Sequence, residues 1–247
     1  MERTTEMSPR FQARMAGVFY VLEGLTSVFG QLLVPGMLVV SGDAAATAAN
    51  ILGNESLFRL GLAASLLAVA FHIVQTVLFY NLFKPVGRSV ALLLAFFSVV
   101  AIALQAVSSL FQLPALVILG GGRGLGALSV EQLQSLALIF LRLRAQAFNV
   151  FLVFFGFRCA LIGYLIYKST FLPRIIGVLM AFAGLGYLTL LWPPLANYVS
   201  PFNLALAAPG ELSLVLWLLV VGVNVERWKE QASARGIWDR SEPGPAN

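Results

Sequence analysis

The sequence predicts an all-α, polytopic membrane helix bundle. Six transmembrane helices cross with both termini on the cytoplasmic side, and short interfacial helices sit in the outer loops. Three observations predict it. Six long apolar stretches are separated by basic turns and polar loops. The 247 residues are 59% hydrophobic and 11% charged, with a mean hydropathy of +0.87, whereas soluble domains carry about 25% charged residues. The Lys and Arg residues gather in alternate connections, as the positive-inside rule requires.

The first span, Phe11–Val40, follows Arg3 and Arg10 but is too long for a cleaved signal, so it reads as an anchor. Beyond it, Ser41 or Asp43 caps a short interfacial helix through Ala44, Ala45 and Ala46. Spans two and three, Leu60–Leu82 and Ser89–Gly120, are joined by a basic turn, Lys84–Arg88. After the glycine-rich stretch 120–124, Ser129 and Gln132 have the spacing of a capping box. The helix begun there carries Leu133, Leu136, Ile139 and Leu143 on one side and runs on into span four, Gln146–Tyr167. A second basic turn, Lys168–Arg174, leads to span five, Leu172–Trp192, and span six is Leu204–Val225. Pro35, Pro114, Pro193, Pro194 and Pro201 fall near outer span ends and predict a less regular outer half. The domain organisation is a six-helix transmembrane domain over 1–231 and a polar, disordered cytoplasmic tail over 232–247.

Orientation follows from charge. The N-terminal segment, the two basic turns and the C-terminal segment hold 11 of the 16 Lys and Arg residues, which places them on the cytoplasmic face of an inner (plasma) membrane. An even number of spans independently puts both ends on one side. The net charge of +5 therefore follows topology, and no nucleic-acid partner is expected. The expected partners are membrane lipids and a small apolar or anionic ligand.

Catalytic signatures are sparse. Cys159 is the only cysteine and His72 the only histidine, which leaves no internal disulfide and no His-rich metal site. No Gly-x-Ser-x-Gly is present. The run Gly122-Arg123-Gly124-Leu125-Gly126 follows no strand and reads as a loop, not a phosphate cradle. Asn54-Glu55-Ser56 is a glycosylation sequon, meaningful only in a eukaryotic secretory pathway. Gly177 with Ala181, and Ala16 and Gly17 with Gly24, offer smooth strips for close helix packing. No cofactor and no metal are expected.

The ionisable residues inside the spans need a reason, because each costs at least about 2.5–3.5 kcal/mol at mid-bilayer on insertion scales. Glu23 lies nine residues beyond Arg14 and Arg158 ten before Lys168, or roughly 13 and 15 Å from the inner boundary at about 1.5 Å per residue. The shared level predicts an ion pair between spans one and four. Gln75 lies at a similar depth and His72 one turn higher, which gives a candidate buried polar cluster of Glu23, His72, Gln75 and Arg158. It reads as a structural cluster that sets helix register, or as a substrate or proton site. A second candidate layer, nearer the outside, comprises Gln105, Arg142, Arg144, Asn149 and Glu211. Glu211 is placed there to pair with Arg142 or Arg144, or to close the mouth of a cavity, while the arginines read equally well as snorkelling side chains.

Five segments carry a family resemblance: Ala13–Tyr20 (ARMAGVFY), Gly42–Leu52 (GDAAATAANIL), Phe171–Leu179 (FLPRIIGVL), Ala183–Leu188 (AGLGYL) and Gly222–Trp228 (GVNVERW). Together they resemble a bacterial family of six-span membrane proteins, domain of unknown function 4386, over about residues 11–231. The resemblance implies an inner-membrane protein and no assigned activity. Where that family carries aspartates and histidines at the start of span four, this chain has Arg142, Arg144, Asn149 and Arg158. Arginine neither gives up a proton nor ligates metal near neutral pH, so the departure argues against metal or acid–base chemistry in this member.

The functional expectation is a noncatalytic membrane component: a small-molecule or lipid-binding protein, or a partner in a complex. The alternatives are a small solute or proton transporter or channel using Glu23 and His72, and an intramembrane lipid-modifying enzyme.

Overall fold

The computed structural model describes residues 8–121 and 126–236. The start of the expected glycine-rich loop, at Gly122 to Gly124, and the tail beyond Gly236 lie outside the described residues. Among the described residues every regular element is a helix, without strands.

α1 (Pro9–Ser27) widens into a π-helical turn, Val28–Leu33, and re-tightens as α2 (Val34–Leu38). α3 (Ala44–Gly53) begins where Asp43 accepts the Ala46 amide at 2.9 Å, the cap expected there. α4 spans Glu55–Phe83, five residues longer at its start than expected, because Glu55 pairs with Arg59 one turn on at 2.6 Å. α5 (Arg88–Leu110) and α6 (Gln112–Leu119) are separated at Phe111, since Pro114 has no N–H for the carbonyl of Leu110. α7 runs unbroken from Val130 to Lys168. Its capping box forms as expected: Ser129 N–H donates to Gln132 Oε1 at 2.8 Å, and Gln132 N–H to the Ser129 hydroxyl at 3.3 Å. α8 is Arg174–Leu188, followed by a 3-10 turn, Thr189–Leu191. The short α9 (Pro193–Val199) and α10 (Phe202–Ala205) precede α11 (Ala207–Val220) and α12 (Val225–Ser233).

Five stretches are long and apolar enough to cross a membrane: Pro9–Leu38, Glu55–Phe83, Arg88–Leu119, Val130–Lys168 and Arg174–Leu191. The expected sixth, Leu204–Val225, falls on α11 and α12, a bent pair that passes the same test together and makes six if it is one span. α11 has 14 residues, or about 21 Å, against a hydrocarbon thickness of about 30 Å. It ends at Gly222, whose φ of +76° suits glycine, and α12 departs at 100° to it. α12 takes in Ala232 and Ser233, the first two residues of the expected tail. Large apolar side chains such as Leu25, Met37, Phe96, Ile175 and Val220 are more than half exposed, a surface suited to lipid and not to water.

The chain divides into two compact units, one of residues 1–21, 73–99 and 152–247, the other of residues 22–72 and 100–151. In the first, α7 and α8 meet backbone to backbone. A Cβ on Gly163 would sit 2.6 Å from the Gly177 carbonyl, and one on Gly184 would sit 2.7 Å from the Gly156 carbonyl. α11 packs the same way through Gly210 against the Leu179 carbonyl. Gly177 therefore does what its spacing implied, and Gly17 lies tightly on Leu218 and Leu219. Gly24, expected to extend that strip, faces open space.

α12 closes the first unit by clamping its two basic turns. Trp228 is buried and donates its indole N–H to the Leu82 carbonyl at 2.9 Å, and Arg235 donates to the Val86 carbonyl at 3.1 Å. Gln231 accepts the Thr170 amide at 3.2 Å. In the second unit, Val34, Leu38, Ile51, Phe58, Ile118 and Leu141 form an apolar core. There Gly30 lets the π-turn press on the backbone of Gly61 and Ser65.

Candidate functional site

Each unit buries an arginine, and in each the hydrogen-bond partner is a glutamine. In the first unit Arg158, on α7, is 0% exposed. Its Nη2 donates to Gln75 Oε1 on α4. The guanidinium carbon lies over the rings of Phe155 (4.9 Å), Tyr20 (5.3 Å) and Phe79 (5.4 Å), a cation–π cage. Nε and Nη1 have no hydrogen-bond partner, and neither has Gln75 Nε2. Glu211 is within electrostatic reach of Arg158. That carboxylate accepts the Tyr187 hydroxyl at 2.7 Å. The Tyr20 hydroxyl lies beside it without a hydrogen bond of ordinary geometry.

Around Arg158 the first unit thus sets an amide oxygen and three aromatic faces, with Arg158 about 15 Å from the end of α7 and Gln75 about 12 Å from the end of α4.

In the second unit a polar seam runs between two helices. Glu23, Ser27 and Gln31 recur every four residues along α1 and its π-turn, and all three are buried. Opposite them stand Gln105, Ser108, Ser109 and Gln112, also buried, at helical spacing on α5 and α6. Gln105 Nε2 donates to Glu23 Oε1 at 3.3 Å and to Ser27 at 3.4 Å, while its Oε1 lies 3.3 Å from His72 Nδ1. Further along, Gln31 Nε2 donates to Ser109 at 3.1 Å, and Ser109 donates back to the Gln105 carbonyl at 3.0 Å. An ideal helix drifts by about 40° over four residues. The wider π-turn offsets that drift and keeps Gln31 on the seam.

Arg144, 6% exposed, ends the seam. Its Nη1 donates to Gln31 Oε1 at 2.5 Å and its Nη2 to the Gln31 carbonyl at 3.2 Å. That carbonyl is available because Pro35, four residues on, has no N–H to offer it. Ser108 donates to the Arg144 carbonyl at 3.0 Å.

The expected residues therefore regroup. Glu23, His72, Gln75 and Arg158 are all buried, but Gln75 goes with Arg158, while Glu23 and His72 gather around Gln105, which depth counting had assigned to the outer layer. The outer layer itself divides. Arg144 is buried on Gln31, Arg142 and Asn149 are exposed, and Glu211 accepts the Tyr187 hydroxyl. Gln31, Ser27, Ser108, Ser109, Gln112, Tyr20 and Tyr187 were missed. Their signal was present for the seam: 23, 27, 31 and 105, 108, 109, 112 are polar stripes on otherwise apolar helices. Among the described residues, no group of three or more His, Cys, Asp and Glu side chains is placed to hold a metal ion.

Long apolar helices with charged and amide side chains sequestered among them define a membrane protein. The chain belongs to the family Domain of unknown function (DUF4386), whose family model matches residues 15–222. No curated protein and no solved structure matches it.

Proposed function

We propose that this chain is a six-span inner-membrane protein with both termini cytoplasmic. It acts as a noncatalytic binding component that takes a small anionic or lipid-derived molecule, and Arg158 is the recognition group. The observation that carries this reading is a fully buried guanidinium with two nitrogens lacking acceptors. A buried cation without its full set of hydrogen bonds is costly, and an anionic group would complete it. Gln75 orients the fork and the three rings exclude water, while Tyr187 holds the Glu211 carboxylate beside the site.

Native mass spectrometry of the protein purified in mild detergent tests this. The wild type is expected to carry an anionic adduct that Arg158→Met lacks and Arg158→Lys holds more weakly, because lysine has no planar fork. A wild type with no adduct, or the same adduct in a folded Arg158→Met protein, overturns the reading.

A second reading, proton or solute translocation, is favoured by one observation: the unbroken chain from His72 through Gln105 to Glu23. Proton leak in proteoliposomes that disappears in Glu23→Gln supports it, and leak unchanged by that substitution removes it.

A further inference from the structure

We propose a second binding site, for the headgroup of an anionic phospholipid, in the groove between the start of α5, the end of α7 and α12. It shares no lining residue with the Arg158 cage and does not depend on that reading.

Three cavities open around α12, and their charge separates them. One, of about 590 Å³, sets Arg10 and Arg227 against Glu226. A second, of about 680 Å³, sets Arg174 and Arg227 against Glu230. The third, of about 480 Å³, has Arg88, Lys168 and Arg235 and no carboxylate among its described lining residues. Three cations around one concavity repel one another, so an anion there relieves them.

The groove is also built, not merely basic. Arg235 is pinned over the α4–α5 turn by its bond to the Val86 carbonyl at 3.1 Å. Lys168 lies 6.0 Å from the centre of the Tyr164 ring. The Ser89 hydroxyl adds a donor beside them, and Val90 and Leu165 make the wall apolar. A phosphodiester fits the cations and the hydroxyl, and an acyl chain fits the wall that continues along α5 and α7. Arg88 opens α5 and Lys168 closes α7, which is where apolar helices leave hydrocarbon for the headgroup layer. The bilayer is therefore the source of the ligand.

The test uses the full chain in nanodiscs of phosphatidylcholine with added phosphatidylglycerol, with bound lipid counted by native mass spectrometry. Each cation in direct contact with the phosphodiester contributes at least about fivefold in affinity, so Arg88→Gln, Lys168→Gln and Arg235→Gln together should weaken phosphatidylglycerol retention on the order of a hundredfold. A charge-matched control, Arg14→Gln with Lys84→Gln and Lys229→Gln, should change it by no more than about fivefold. Equal loss in both variants means diffuse surface attraction and overturns the site. Displacement by millimolar inorganic phosphate means a free-phosphate site and overturns the lipid assignment. If the triple variant fails to fold, Arg88→Gln alone is read against Lys84→Gln, with a selective loss expected.

Discussion

Arg158 and Arg144 show how one residue type is tolerated where charge is expensive. Each guanidinium takes an amide oxygen from glutamine, an acceptor that carries no opposing charge to desolvate. Arg158 adds three aromatic faces and Arg144 a backbone carbonyl orphaned by proline. Removing the amide should hurt more than removing the cation. Gln75→Leu leaves the guanidinium with rings alone and should destabilise the protein by about 1.5–3 kcal/mol. Arg158→Met should cost less, because a thioether packs well on aromatic rings. The double variant should resemble Arg158→Met rather than the sum. Thermal unfolding in detergent measures all three, and a silent Gln75→Leu would dismiss the amide as a partner. The burial of Arg158 was legible from spacing, but the glutamine that bonds it was not, because that depends on how α4 is rotated against α7.

Among elements, α7 and α8 are held by glycine and α12 by its indole. Gly163→Val and Gly177→Val would each drive a branched side chain into backbone less than 3 Å away, at a cost of about 3 kcal/mol or more. Gly24→Ala meets nothing and should be neutral or stabilise by up to about 1 kcal/mol, since alanine is the better helix former. Yields of monodisperse protein and melting temperatures will separate the three. Trp228→Phe keeps the ring and deletes the bond to Leu82. It should cost about 1 kcal/mol and speed proteolysis at Gly222–Asn224, where α11 gives way to α12. Unaltered cleavage would show that the indole N–H does not anchor α12. Capping residues made α3 and α7 readable from sequence, because Asp43, Ser129 and Gln132 act on amides within a single turn. The break of the sixth apolar stretch was not read, because Leu204–Val225 is apolar enough to pass as one helix, and its termination depends on Gly222 adopting a positive φ.

For the whole molecule, sidedness is the first quantity to measure. With the buried Cys159 as background, single cysteines at Ser8 and Ala234 should react with an impermeant maleimide only from the cytoplasmic face, and one at Asn54 only from the opposite face. Labelling of Ser8→Cys and Ala234→Cys from opposite faces would reject six crossings and the proposed orientation together. Composition, span lengths and the alternation of basic connections already establish an all-helical membrane chain, because hydrocarbon imposes one requirement, internal hydrogen bonding of the backbone, on every residue it surrounds. That requirement is written into each segment independently. The choice of partners is not: Gln105 with Glu23, Gln75 with Arg158 and Gln31 with Arg144 each depend on rotation and displacement of one helix against another. Those displacements come from a π-turn, a proline and a row of glycines, whose effects combine only when the helices pack.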